Sequence, residues 1–136
     1  MQKIEHIGIA VKDIVESNKL FAKLLNTEHY KMEEVESEGV ITSFFKIGDV
    51  KIELLQATKE SSAIHSFVKK KGEGVHHIAF AAEDVNTELE RLKNEGFDAI
   101  HQYAKDGADG KVIAFLHPKS TNRVLTEICS DKDVTK

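Results

Sequence analysis

From Ile4 to Val11 apolar residues alternate with others, so that Ile7, Ile9 and Val11 share one side of an extended chain and His6, Gly8 and Ala10 the other. That period predicts a half-buried strand. At Asp13 the period changes, and Leu20, Phe21, Leu24 and Leu25 recur at helical spacing, predicting a helix over about 14–25 with Leu20 and Leu24 on its apolar face. Asp13 is placed to accept from the first free helical amides, and Glu16 three residues on completes a capping-box pattern. The same succession returns 71 positions later, where Val75–Val85 matches Ile4–Ile14, Asp84 takes the place of Asp13, and Val85, Leu89 and Leu92 mark a helix that stops at Gly96.

Each predicted helix is followed by shorter alternating segments that end in matching strands, Val50–Leu54 and Val124–Ile128, with Glu53 and Glu127 74 positions apart. Glu38-Gly39, Gly48-Asp49, Asp106-Gly107, Asp109-Gly110 and His117-Pro118 supply the intervening turn signals. Both halves therefore read as βαβββ, one over about 1–68 and the other over about 74–130. Lys69–Gly74 reads as a solvated, flexible connector closing a short helix from about Ser61 to Lys70, and 130–136 as a frayed polar tail. A repeat of about 70 residues is too long for a solenoid and suits two paired modules. The expected fold class is α+β, a single domain over 1–136 in which the two modules form a curved mixed sheet around a cleft.

Strand parity gives the polar residues their direction, because successive side chains point to opposite faces. His6 shares its face with Gly8 and Ala10, and His77 shares its face with Ala79 and Ala81. Glycine and alanine leave space beside an imidazole that an ordinary core would fill. Glu53 falls opposite Ile52 and Leu54, and Glu127 shares its face with Leu125 and Cys129. If the modules curve around one cleft, His6, Glu53, His77 and Glu127 converge there, and a divalent cation is the simplest partner for two imidazoles and two otherwise costly buried carboxylates. A lone histidine on a half-apolar strand is ordinarily a hydrogen-bonded or exposed residue, but four ligand-type residues related by an internal repeat are a different matter. His76 has the opposite parity to His77 and reads as structural or as a support to the ligands. His29, His65 and His101 have no counterpart in the other half and read as surface residues, and Cys129 lacks the His or Asp neighbours of a nucleophile.

Composition narrows the partners. A net charge of −4 and a pI near 6.0 give neither a basic footprint for nucleic acid nor a polybasic membrane patch, which leaves small molecules. No run of residues approaches a membrane span, and no signal-peptide pattern precedes the first strand. One cysteine cannot form an internal disulfide, so a reducing cytoplasmic setting is expected.

The chain resembles the vicinal-oxygen-chelate superfamily, which includes glyoxalase I, extradiol dioxygenases, fosfomycin-resistance proteins and methylmalonyl-CoA epimerases, and it is most similar to the epimerases. The likeness spans nearly the whole chain and is carried by His6–Val11, Gly48–Leu55, Gly72–Phe80 and Val112–Cys129. Within the last of these, His117-Pro118-Lys119-Ser120 stands where glyoxalase I typically has an Asp-Pro-Asp-Gly type of turn. The resemblance implies metal ligands at His6, Glu53, His77 and Glu127, although some epimerases have Gln at the place of Glu53. It also implies Co²⁺, or else Zn²⁺, Ni²⁺, Mn²⁺ or Mg²⁺, and a homodimer. The activity implied is interconversion of the two epimers of methylmalonyl-CoA by proton transfer alpha to the thioester. Glyoxalase I-type lactoylglutathione lyase and a small-molecule-binding resistance protein are the alternatives.

That reaction needs one base per face of the reacting carbon. Glu127 is the first candidate, and Glu53, its counterpart in the repeat, is the second, because Thr42 stands where some epimerases carry a Glu. Glu36 and Glu38 read as solvated. Lys119, Ser120 and Arg123 are candidates to meet the substrate carboxylate or the CoA phosphates.

Overall fold

A computed structural model describes residues 1–132 and divides into two compact units, one of His6–His76 and one of residues 1–5 together with the chain from His77 onward. The last residues of the expected polar tail, 133–136, lie outside the described residues. Its first two do not fray, since the final strand continues through Ser130 to Asp131.

The unit of His6–His76 takes most of β1 (Lys3–Ala10), then α1 (Ile14–Leu25), β2 (Lys31–Val35), β3 (Val40–Ile47), β4 (Val50–Ala57) and α2 (Ala63–Lys71). Its sheet has the order β2-β3-β4-β1, with β1 parallel to β4 and the other pairs antiparallel. The second unit takes β5 (Gly74–Ala81) from His77 on, then α3 (Val85–Asn94), β6 (Lys105–Asp106), β7 (Lys111–Leu116) and β8 (Thr126–Asp131). Here the order is β5-β8-β7-β6, and β5 is parallel to β8. Residues 1–5 join this unit through Gln2, whose N–H donates to Ala81 O at 2.7 Å, and through the Met1 amino group, 2.8 Å from Glu88. Both halves are βαβββ, as the hydrophobic pattern predicts.

The caps form where expected. The Asp13 carboxylate accepts from the amides of Val15 and Glu16, and that of Asp84 accepts from the Thr87 amide at 2.9 Å. Glu16 turns toward Lys19, 3.6 Å away. Val85, Leu89 and Leu92 are buried against Ala114, Leu116 and Ile128, which fixes α3 to one face of its sheet.

Two expectations are corrected. Leu20 and Leu24 are 62% and 69% exposed, and α1 buries Ile14 and Asn18 while Phe21, Ala22 and Leu25 pack against Val11, Phe45 and Leu54. The polar Asn18 can occupy the core because its amide oxygen accepts from the buried Ser43 hydroxyl, which turns the inward face away from Leu20 and Leu24. Lys69–Gly74 is not a flexible connector: Lys69 to Lys71 end α2, the Gly72 amide donates to Val68 O at 2.8 Å, and the Glu73 carboxylate accepts from Lys12 N at 2.7 Å. The turn signal at Glu38-Gly39 is borne out: β2 and β3 pair antiparallel across it, with a 3₁₀ turn over Glu36–Glu38 and Gly39 at φ 65°, the Lys59 side chain 2.7 Å from where a Cβ would be. Both the left-handed backbone and the missing space call for glycine there.

Candidate metal centre

In the unit of His6–His76 the parallel register sets Gly8 beside Glu53 and Ala10 beside Leu55. Adjacent residues in register share a face, so Glu53 lies on the face of His6, as does Phe44, its partner across β3. α1 occupies the opposite face with Ile9, Val11 and Leu54, and α2 covers only the far end of the His6 face, at Ala10 and Leu55. The outcome is a buried pair: His6 and Glu53 are 5% and 4% exposed, and His6 Nδ1 lies 3.1 Å from Glu53 Oε2.

The second unit repeats this construction. Ala79 stands beside Glu127, His77 and Glu127 are 5% and 4% exposed, and His77 Nε2 lies 3.3 Å from Glu127 Oε1. The small residue two places after each histidine, Gly8 or Ala79, leaves the carboxylate on the neighbouring strand room to reach back. Phe115 closes edge-on against the His77 ring at 5.8 Å and also meets His101 at 5.9 Å.

These donors suit a metal ion. Two ligands each ~2.1 Å from one ion, at cis positions, are ~3.0–3.4 Å apart, and both His–Glu pairs have that separation. Mixed imidazole and carboxylate donors fit first-row divalent ions better than the all-oxygen sites of calcium.

The remaining candidates are placed as follows. Lys119 Nζ is 3.2 Å from Asp98, and the Ser120 hydroxyl donates to His117 O and accepts from Asp98 N, so both brace the turn over Pro118–Ser120. Arg123 is exposed, with φ 69°. His29, His65 and His101, expected at the surface, are all half-buried: His29 packs edge-on to Phe45, and His65 lines a cavity. Burial, and after it the charge of Lys71, lowers the pKa of His76 to about 4, and its ring stands perpendicular to Phe67. Cys129 is fully buried, its thiol directed at Phe80 O. Sequence patterning missed Thr42 as a buried polar atom: it is 0% exposed on the face of Glu53, and its hydroxyl has no hydrogen-bond partner among the described residues.

With this geometry in view, comparison with known proteins is decisive. Residues 5–115 match the Glyoxalase/Bleomycin resistance protein/Dioxygenase superfamily. The chain belongs to that superfamily. It is 38% identical to the uncharacterised YqjC of Bacillus subtilis, over 97% of this chain and 94% of that one. It is 34% identical to the ethylmalonyl-CoA/methylmalonyl-CoA epimerase of Cereibacter sphaeroides, over 93% of this chain and 96% of that protein. Among solved structures, a methylmalonyl-CoA epimerase in complex with methylmalonyl-CoA and NH₄⁺ superposes with a TM-score of 0.93 and 34% identity, covering 98% of this chain and 97% of the other. The described residues contain no helix long and apolar enough to cross a membrane.

Proposed function

We propose that this chain is a methylmalonyl-CoA epimerase in which His6, Glu53, His77 and Glu127 together hold one divalent cation and the two units operate as one domain. The observation that carries the reading is the buried His–Glu pair, built twice at repeat-related positions in a chain that matches epimerases along nearly its full length. Co²⁺ is the ion of choice, with Zn²⁺, Ni²⁺, Mn²⁺ and Mg²⁺ as substitutes. When bound, such an ion supplies positive charge where the enolate oxygen develops.

Glu127, as the carboxylate, takes the proton alpha to the thioester, and Glu53, entering the cycle as the carboxylic acid, delivers its own proton to the opposite face, so that the two swap protonation states in each turnover. In the reverse direction the two exchange roles. Burial on faces lined by Gly8 and Ala79 keeps bulk water from competing with the carboxylates. Arg123, Lys119 after release from Asp98, and Ser120 after release from His117 O are the groups that meet the substrate carboxylate or the CoA phosphates. The buried Cys129 thiol supports a reducing, cytoplasmic setting, and a homodimer is the assembly proposed.

The test is deuterium wash-in at the alpha carbon of methylmalonyl-CoA in heavy water. We expect exchange that a chelator abolishes and Co²⁺ restores. Exchange indifferent to chelation would remove the cation from the reading, and exchange confined to a glutathione hemithioacetal would assign glyoxalase chemistry instead.

A further inference from the structure

The unit of His6–His76 contains a second feature that the proton chemistry does not use, a cavity of about 240 Å³ where the carboxyl ends of β1 and β4 meet α2. Its apolar wall is Val11, Ala57 and Val68, and its polar lining is Lys12, Gln56, His65 and Lys69. Every one of those polar side chains can donate, and among the described residues no acid lines the cavity. Gln56 already spends its oxygen on the Ile14 amide at 2.7 Å, which turns its remaining capacity to donation. Beside it the Glu73 carboxylate accepts from the Lys12 amide at 2.7 Å. A chain of net charge −4 that gathers four donors around one cavity has built a place for an acceptor-rich anion. Lys69 alone would be unremarked at a helix C-terminus, where cations are favoured. Lys12 and Gln56 come from other elements and have no such reason to be there.

Position along the strand suggests which anion. Gln56 and Ala57 follow Glu53 by three and four residues, so the cavity opens ~10–13 Å along β4 from the proposed base, at ~3.3 Å per residue. Acyl-CoA thioesters carry their phosphates at the far end of a long, flexible pantetheine arm. We propose that Lys12, Gln56, His65 and Lys69 form the subsite for the nucleotide phosphates of that ligand, with Val11, Ala57 and Val68 as the apolar surface beside them. This inference rests on the epimerase reading for the identity of the ligand, but the cavity can be tested without turnover.

The probe is adenosine 3′,5′-bisphosphate, the nucleotide end of coenzyme A, titrated calorimetrically into wild type and the Lys12→Ala/Lys69→Ala double variant. Wild type should bind it, more weakly as ionic strength rises. The double variant should bind about tenfold less tightly, the order expected when two charge-assisted contacts at a solvent-exposed rim are lost. Lys23→Ala, a charge removal on the exposed part of α1, serves as the control that leaves binding unchanged. In the exchange assay, the preference in kcat/KM for the CoA thioester over the corresponding pantetheine thioester should shrink by the same factor. Equal binding by the double variant and wild type overturns the subsite, as does a preference for the CoA ester that the double variant retains. Absence of exchange with either thioester, alongside intact nucleotide binding, would sink the epimerase reading while leaving the phosphate site standing.

Discussion

At the scale of single residues, the clearest lesson lies in what stands opposite the two carboxylates. Glu53 faces Gly8 and Glu127 faces Ala79, so each acid has space on its sheet and a histidine two residues away to share it with. Converting Glu127 to Gln preserves size and one oxygen donor but removes the basic site. We expect Glu127→Gln to slow deuterium exchange by roughly 10²-fold or more, the range for loss of a general base, while metal analysis shows a smaller fall in bound ion. Equal loss of both would reduce Glu127 to a ligand. Thr42 makes the opposite kind of prediction. A buried hydroxyl without a partner costs about 1–3 kcal/mol of desolvation, and Thr42→Val should therefore raise the free energy of urea unfolding by ~1 kcal/mol. The His–Glu pairs were legible in the chain because alternation alone assigns faces. Thr42 and the cavity around Gln56 were not, because their burial depends on strand register and on where α2 lands, and neither leaves a periodic signal.

Elements show the same division between local and tertiary causes. Helix ends could be read from Asp13 and Asp84, since a cap is a contact between near neighbours in sequence. The buried face of α1 could not, because the Ser43 hydroxyl that makes Asn18 a core residue comes from a strand 25 positions away. The consequence for mutation is direct. Leu20→Gln and Leu24→Gln should change unfolding free energy by less than ~0.5 kcal/mol, as surface positions do, whereas Phe21→Ala should cost ~3 kcal/mol through the lost contact with the cluster around Phe45. On α3, Glu88 takes contacts from both Arg91 and the Met1 amino group, and these hold its carboxyl below the ordinary 4.5. The depressed value means that the unfolded chain binds the proton more readily. Stability from Glu88 is thus present above pH 4.5 and is lost progressively as the pH falls below it. In Glu88→Gln that part of the acid limb should vanish from a thermal-unfolding series taken through this range.

For the whole molecule, the question is whether two half-sites act as one. Each unit supplies one histidine and one carboxylate from equivalent strands, which is what duplication of a βαβββ module would leave behind. Two donors are too few to hold a first-row ion tightly, and the four donors of the proposed centre would still leave positions open for substrate. A shared ion binds only the folded chain, so it should stabilise by ~2.7 kcal/mol at a hundredfold excess over its dissociation constant. The symmetry of the two pairs separates one shared ion from two. If each pair bound its own ion, His77→Ala would leave the increment from His6 and Glu53 intact, and Glu53→Ala would leave that from His77 and Glu127. With a single shared ion either substitution removes the whole increment, although the two residues belong to different units. Thermal unfolding of chelator-treated protein with and without added Co²⁺, run on wild type and both variants, separates these outcomes. We expect the Co²⁺-dependent rise in Tm to disappear in both variants alike, and its survival in either one would dissolve the common centre into two.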